Sequence, residues 1–292
     1  MTKFFALATA IAVAALTGSS TAADDKCVLL DFTDEESEFA DLNAAIKTTK
    51  SAQLFGSVIG KYDPLVLKNV TLRSFNFSVL GKDVNIATTI DSISITGLKT
   101  LTPQKVNVTS PNSVGISTAS AGQVAVDAKL IATLEDSDKS ATADLMFVLE
   151  KPTLYVDVEA NMYGCAPDVS ESECSDLTIA DLQSKLESAT TKRQYASIMK
   201  EVLMKFKDAS VKSFALDFES ISDFNLDFDS TSFTFRNILR LVPEYSAEDI
   251  NEKTATYDSY IATINRYAPA VLNVLINSML EPWFGATCLS EK

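Results

Sequence analysis

The chain of 292 residues contains no histidine. That absence removes every Ser-His-Asp and Cys-His catalytic pairing and every zinc site that needs an imidazole. Glycine and proline are scarce, at nine and eight residues, which excludes collagen-like and low-complexity architectures. No run of four or more Lys or Arg occurs, and 39 acids face 25 bases, a net charge of −14. Such a charge repels phosphate backbones and anionic lipid surfaces, so nucleic acid is not an expected partner. G-x-S-x-G, Walker and G-x-G-x-x-G sequences are all missing, which leaves phosphate-cradling chemistry without support. What the chain does have is apolar mass: 46% hydrophobic against 22% charged residues, the proportions of a sequence that folds around a core.

The apolar stretch Phe4 to Leu16 follows one cation, Lys3, and ends in Gly18, Ser19, Ser20, Thr21 and Ala22. It is too short to cross a bilayer, which takes about 20 helical residues, and the small residues at Ser20 and Ala22 suit cleavage after Ala22. Residues 1–22 therefore read as a secretory signal, and residues 23–292 as a single secreted, extracellular domain of net charge −15. Four cysteines fit an oxidising compartment and allow three pairings. Cys165 and Cys174 lie close together in an acidic loop and are expected to pair locally, which leaves Cys27 with Cys288. Without C-x-x-C or histidine, no metal is expected. Three sequons begin at Asn69, Asn76 and Asn107; Asn76 and Asn107 lie between apolar neighbours and Asn69 precedes Val70 and Leu72, and alternation is expected to put each Asn on a polar strand face where a glycan would meet water.

The periodicity predicts a helix from Phe32 to Gly60, with Asp34, Glu35 and Glu36 in its first turn and Leu54, Phe55, Val58 and Ile59 continuing its stripe, stopped by Tyr62-Asp63-Pro64. From Leu65 to Met162 the period becomes two. Val124, Val126, Ala128, Leu130, Ala132 and Leu134 hold one face, and Ile93 and Ile95 switch phase relative to Ile90. A hairpin-like pair is expected around Glu150-Lys151-Pro152. Helical spacing returns from Asp176 to Lys207, strands from Val211 to Phe235, and a helix from Thr256 to Trp283 that Pro269 should kink. The fold class is α+β, with a long, strongly curved antiparallel sheet, wet on one face and covered on the other.

Asp217 and Glu219, with Asp223, Asp227 and Asp229, have the look of the paired acids of glycoside hydrolases. They alternate with Phe and Leu at period two, however, which assigns them to the wet face of strands. Nor does Asp227 to Arg236 have the central Gly and terminal Glu of a calcium loop. Sixteen Phe and eight Tyr on long alternating strands point instead to a lengthwise apolar groove against the last helix.

Particular stretches carry a family resemblance: the acidic N-terminal helix running into Asp63-Pro64, the entry Leu65-Val66-Leu67-Lys68-Asn69-Val70-Thr71-Leu72, the strand from Val84 to the step Gly97-Leu98, and the closing helix with Asn273-Val274-Leu275-Ile276-Asn277 and Glu281-Pro282-Trp283. The chain resembles the tubular lipid-binding superfamily, which includes the bactericidal/permeability-increasing proteins, the takeout and juvenile-hormone carriers and the group 7 mite allergens. The resemblance implies a single tubular unit, a bent sheet wrapped around the long C-terminal helix, with an apolar tunnel for a lipid or other hydrophobic small molecule and transient contact with membranes. Bactericidal action is not implied, because the negative charge is opposite to what lipopolysaccharide neutralisation needs. The expected lining is Phe75, Phe77, Val126, Leu130, Phe147, Val156, Phe218, Ile264 and Leu275. Binding by burial needs neither a catalytic residue nor a cofactor. Two alternatives are a secreted, glycosylated protein recognised by its surface, and a glycoside hydrolase built on Asp217 and Glu219.

Overall fold

The computed structural model describes residues 26–34, 38–46, 60–72, 74–79, 82–135, 139–166, 169, 174, 179–239 and 246–289. The signal segment and the stripe from Leu54 to Ile59 lie outside them. Eleven strands are described: β1 (Cys27–Leu29), β2 (Leu65–Thr71), β3 (Phe75–Val79), β4 (Lys82–Thr96), β5 (Leu101–Ser110), β6 (Ser113–Ser120), β7 (Gln123–Leu134), β8 (Ser140–Glu150), β9 (Thr153–Cys165), β10 (Phe206–Asp217) and β11 (Ser220–Asp229). The helices are α1 (Glu38–Ile46), α2 (Ile179–Ser188), α3 (Lys192–Lys205), α4 (Phe233–Leu239), α5 (Ala247–Asn251) and α6 (Ala255–Met279).

The strands form two antiparallel groups, and both groups keep one order. In one, β11, β8, β7 and β4 are neighbours, with β2 and β3 beyond β4; in the other, β10, β9, β6 and β5 are neighbours. Since β4 runs into β5, β6 into β7, β8 into β9 and β10 into β11, this is one four-stranded sheet folded across the middle of every strand. The strongly curved α+β sheet is therefore present, and it is not closed.

The fold line is hydrogen-bonded from strand to strand. The Ala121 N–H donates to the Thr100 carbonyl, Ser120 N–H to Pro152, Lys151 N–H to Gly122 and Glu219 N–H to Glu150. Thr100 Oγ1 and Ser120 Oγ share a further bond of 2.5 Å. Gly97, with φ of 85°, begins the first corner, and its N–H and that of Lys99 both donate to the Asp63 carboxylate.

This folding corrects the hairpin expected at Glu150-Lys151-Pro152. The strands β8 and β9 do not pair with each other, because Lys151, at φ of 45°, and Pro152 send the chain from one half of the sheet to the other. Phe233 and Phe235, read as strand, belong to α4. Residues 32–34, read as the start of the N-terminal helix, form a turn, because Asp31 accepts bonds from the Thr33 N–H and hydroxyl; the helix is described over Glu38–Ile46. The phase switch in β4 is a bulge, since Ile90 pairs with Leu130 and Ser92 with Lys129, leaving Asp91 as the extra residue.

Asparagine side chains meet the sheet where strands lack a neighbour. Val106 of β5 exchanges both backbone bonds with the Asn43 amide of α1, each 2.7 Å long. Ile221 of β11 does the same with Asn251. On β10, the Val211 and Leu216 N–H groups donate to Asn273 and Asn265, and so fasten α6 along the edge strand. The helix runs unbroken through Pro269.

Disulfides join Cys27 to Cys288 and Cys165 to Cys174. Cys27 and Cys165 are direct partners across β1 and β9, so both bridges meet at the end of that strand pair. There the buried Lys205 Nζ donates to the Cys288 carbonyl at 2.7 Å, satisfying an ammonium that would otherwise be costly to bury.

Candidate functional site

Register turns the alternation of each strand into rows that cross the inner face of the folded sheet. On one side of the fold line these rows are Ile95, Val126, Phe147 and Phe224; then Ile93, Ala128, Leu145 and Leu226; then Ile90, Leu130, Ala143 and Phe228. On the other side they are Pro103, Thr118, Leu154 and Leu216; then Val106, Ile116, Val156 and Phe214; then Val108, Val114, Val158 and Val211. Thr118 is the one polar side chain in these six rows. The helix α6 supplies the opposing wall through Tyr260, Ile264, Tyr267, Val271 and Leu275, spaced three and four apart along one face.

The apolar interior divides into two clusters. The larger one gathers β2, β4, β5, β6, β9, β10, the helices α1, α2 and α3, and the end of α6. The smaller one surrounds Tyr260, whose ring meets Phe147, Phe218 and Phe224 edge-on at centroid distances of 5.8, 6.2 and 5.9 Å. Val126, Leu154 and Phe214 touch both clusters and are only half-buried, although all three face inward. Leu130, Leu145, Phe224, Leu226 and Ile264 are half-buried as well. An inner surface of this kind is apolar along its length and is not fully covered by its own protein.

The expected lining residues separate by burial. Val126, Leu130 and Ile264 are half-buried. Phe147 and Phe218 pack around Tyr260 in the smaller cluster, and Val156, at 1% exposure, and Leu275 pack in the larger one. Phe75 and Phe77 are on β3, their backbones paired with Ile86 and Val84, and their side chains lie outside the description. Tyr260 and Thr118 were not among the expected lining. Tyr260 sits in an apolar helical stripe, where a tyrosine reads as ordinary core, and Thr118 follows a strand phase that favours threonine anyway.

A polar clasp holds the start of α6 to the corner between β10 and β11. Tyr257 Oη donates to Asp217 at 2.6 Å, Lys253 Nζ donates to the Phe218 carbonyl at 2.9 Å and stands 3.6 Å from Asp217, and Asn251 brackets Ile221. The Tyr257 hydroxyl holds the Asp217 carboxyl below its usual range, and burial, followed by Asp217, pushes Tyr257 up. Glu219 pairs separately with Lys151 at 2.7 Å, which lowers its pKa too. A glycosidase acid needs a raised pKa, so the pattern here is that of a structural clasp.

The clasp fixes a pH dependence. A carboxyl with a depressed folded pKa stabilises above its unfolded value of about 3.9, and that stabilisation is lost as pH falls through the folded value. No histidine titrates in between. The melting-temperature gap between the protein and its Asp217→Asn variant is expected to stay constant from pH 8 to 5 and to close only below about pH 4. A gap that narrows between pH 7 and 5 would contradict this assignment.

Of the sequons, Asn69 is exposed on β2 with φ of 56°. Asn107 is half-buried, and its side chain hydrogen-bonds Tyr155. The side chain of Asn76 lies outside the description. Among the described residues, no helix is long and apolar enough to cross a membrane, and no group of three or more Cys, Asp or Glu is placed to hold a metal.

Solved structures with similarity to this chain have been found. Its structure is similar to Takeout 1 of Epiphyas postvittana at 13% identity, over 80% of this chain and 78% of that one, with a TM-score of 0.24. It is also similar to a lipopolysaccharide binding protein at 11% identity and a TM-score of 0.20, over 85% of this chain and 41% of that one, so that it spans less than half of the second protein. No family model matches the sequence, and no curated protein matches it.

Proposed function

We propose that this chain is a secreted carrier that shields an apolar ligand between the inner face of its folded sheet and α6. The supporting observation is the series of inward-facing yet half-buried apolar side chains, Val126, Leu130, Leu154, Phe214 and Ile264, which runs between the two clusters. Side chains that only pack a core are enclosed on all sides, as Val156 is. Burial alone supplies the affinity: at about 0.8 kcal/mol per methylene, roughly ten methylenes contribute about 8 kcal/mol, equivalent to micromolar binding. A lining of Val126, Leu130 and Ile264 from among the expected residues, a secretory signal and glycosylation at Asn69 belong to this reading. The carrier takes a hydrophobic small molecule or lipid, needs no cofactor and touches membranes only in passing.

Native mass spectrometry of the protein secreted from a eukaryotic host, followed by organic extraction, tests the proposal. Copurified lipid at a fixed stoichiometry is expected. Reproducible absence of lipid, together with failure to take up fluorescent fatty acids or phospholipids, would replace it with the surface-recognition alternative.

A further inference from the structure

The Tyr260 hydroxyl is buried without a hydrogen-bond partner, in a side chain 8% exposed. Its ring is fixed by Phe147, Phe218 and Phe224, so the phenol cannot swing away to find one. A second hydroxyl, that of Thr118 at 2% exposure, is equally without a partner. Thr118 occupies the inner row of Leu154 and Leu216, and both of those leucines pack with the cluster that contains Tyr260. The sheet row that carries Thr118 thus borders the cluster that holds Tyr260 of α6, and each of these two hydroxyls is buried without a partner. A buried hydroxyl left unpaired destabilises a fold, and tyrosine and threonine could each be replaced by phenylalanine or valine of nearly the same shape.

We propose that Tyr260, together with Thr118, receives the oxygen of a neutral carbonyl function, ketone or ester, on an otherwise apolar ligand. This rests on the carrier reading and narrows its ligand class. A phenol is the better donor of the two hydroxyls, so the ligand supplies an acceptor. Neutrality follows from the surroundings: the cluster around Tyr260 is wholly apolar apart from its tyrosine hydroxyls, and Asp217 and Lys253 at the neighbouring corner are engaged with each other and with Tyr257 and Phe218. A carboxylate head would enter without a counter-charge, at a large desolvation cost. Half-buried Val126, Leu154 and Phe214, which touch both clusters, mark the approach from the larger cluster.

The test compares two probes of equal length, 2-tridecanone and tridecane, as competitors of a bound fluorescent naphthylamine, in the full secreted protein and in its Tyr260→Phe and Thr118→Val variants. The wild-type protein is expected to bind the ketone about tenfold more tightly than the hydrocarbon. Tyr260→Phe is expected to lose most of that preference, Thr118→Val part of it, and both variants should bind tridecane as the wild type does and melt no lower. A purely structural tyrosine would leave the ketone-to-hydrocarbon ratio unchanged. An unchanged ratio in both variants, with tridecane still bound, overturns the carbonyl assignment and leaves the carrier reading intact. Failure of the wild type to bind dye or either probe, together with lipid-free native protein, overturns both.

Discussion

Replacing Gly97 by alanine is expected to lower the unfolding free energy by about 4 kcal/mol, in the range reserved for core cavities and backbone strain. An alanine Cβ would stand 2.0 Å from the Gln123 carbonyl oxygen, 3.0 Å from the carbon of that carbonyl and 3.1 Å from Val124 Cα. All three are backbone atoms of the neighbouring corner, so no side chain can turn aside to make room. The φ of 85° adds its own penalty, since a residue with a Cβ avoids the left-handed region. Relief would require moving Gly97 away from Gln123, which breaks its bond to Asp63 and disturbs the step from β4 to β5. Gly60→Ala is the internal control, because its Cβ would meet only the Lys99 Cβ at 3.6 Å, an ordinary contact. Urea unfolding of the two variants compares them directly. A loss below about 1 kcal/mol for Gly97→Ala would mean that the fold line tolerates displacement.

Leu130→Glu is expected to weaken binding of an apolar ligand about a hundredfold while leaving the protein folded. Leu130 faces inward between Ile90 and Ala143 but is only half-buried, so a carboxylate there keeps partial access to water and the fold survives. The same carboxylate would lie against any acyl chain in the groove, removing apolar contact and imposing a desolvation cost on occupancy; a hundredfold corresponds to about 2.7 kcal/mol. Thr133→Glu supplies the matched control, with the same charge change on the opposite face of β7. Dye uptake by the two variants decides between the faces. Equal affinities would remove Leu130 from the groove.

Much of this arrangement was legible because period-two patterning is a direct image of which face is wet. The β7 run from Val124 to Leu134, the α6 stripe and the placing of acids on outer strand faces all emerge from side-chain spacing alone. The fold line was not legible. A two-residue break such as Lys151-Pro152 reads as a hairpin, and only the pairing of β8 with β7 and β11, and of β9 with β6 and β10, reveals a strand crossing from one half of the sheet to the other. A bulge likewise looks like a lost phase at Asp91. The edge contacts of Asn43, Asn251, Asn265 and Asn273 leave no mark in the sequence, because an amide on a helix or turn normally faces water. Their role depends on strand edges far away in sequence, as does that of the Thr118 and Tyr260 hydroxyls, whose isolation exists only once the rows are assembled.

Those four amides also bear on how copies of the chain behave toward one another. An open sheet presents unpaired N–H and C=O groups that a second copy can extend, the first step toward intermolecular β-structure. Here Asn43 occupies the free edge of β5 at Val106, and Asn265 and Asn273 draw α6 over that of β10. The exposed length of β11 carries Asp223, Asp227 and Asp229, so two such edges repel. The sheet is thus left unclosed while the edges of β5, β10 and β11 are kept from serving as templates for aggregation.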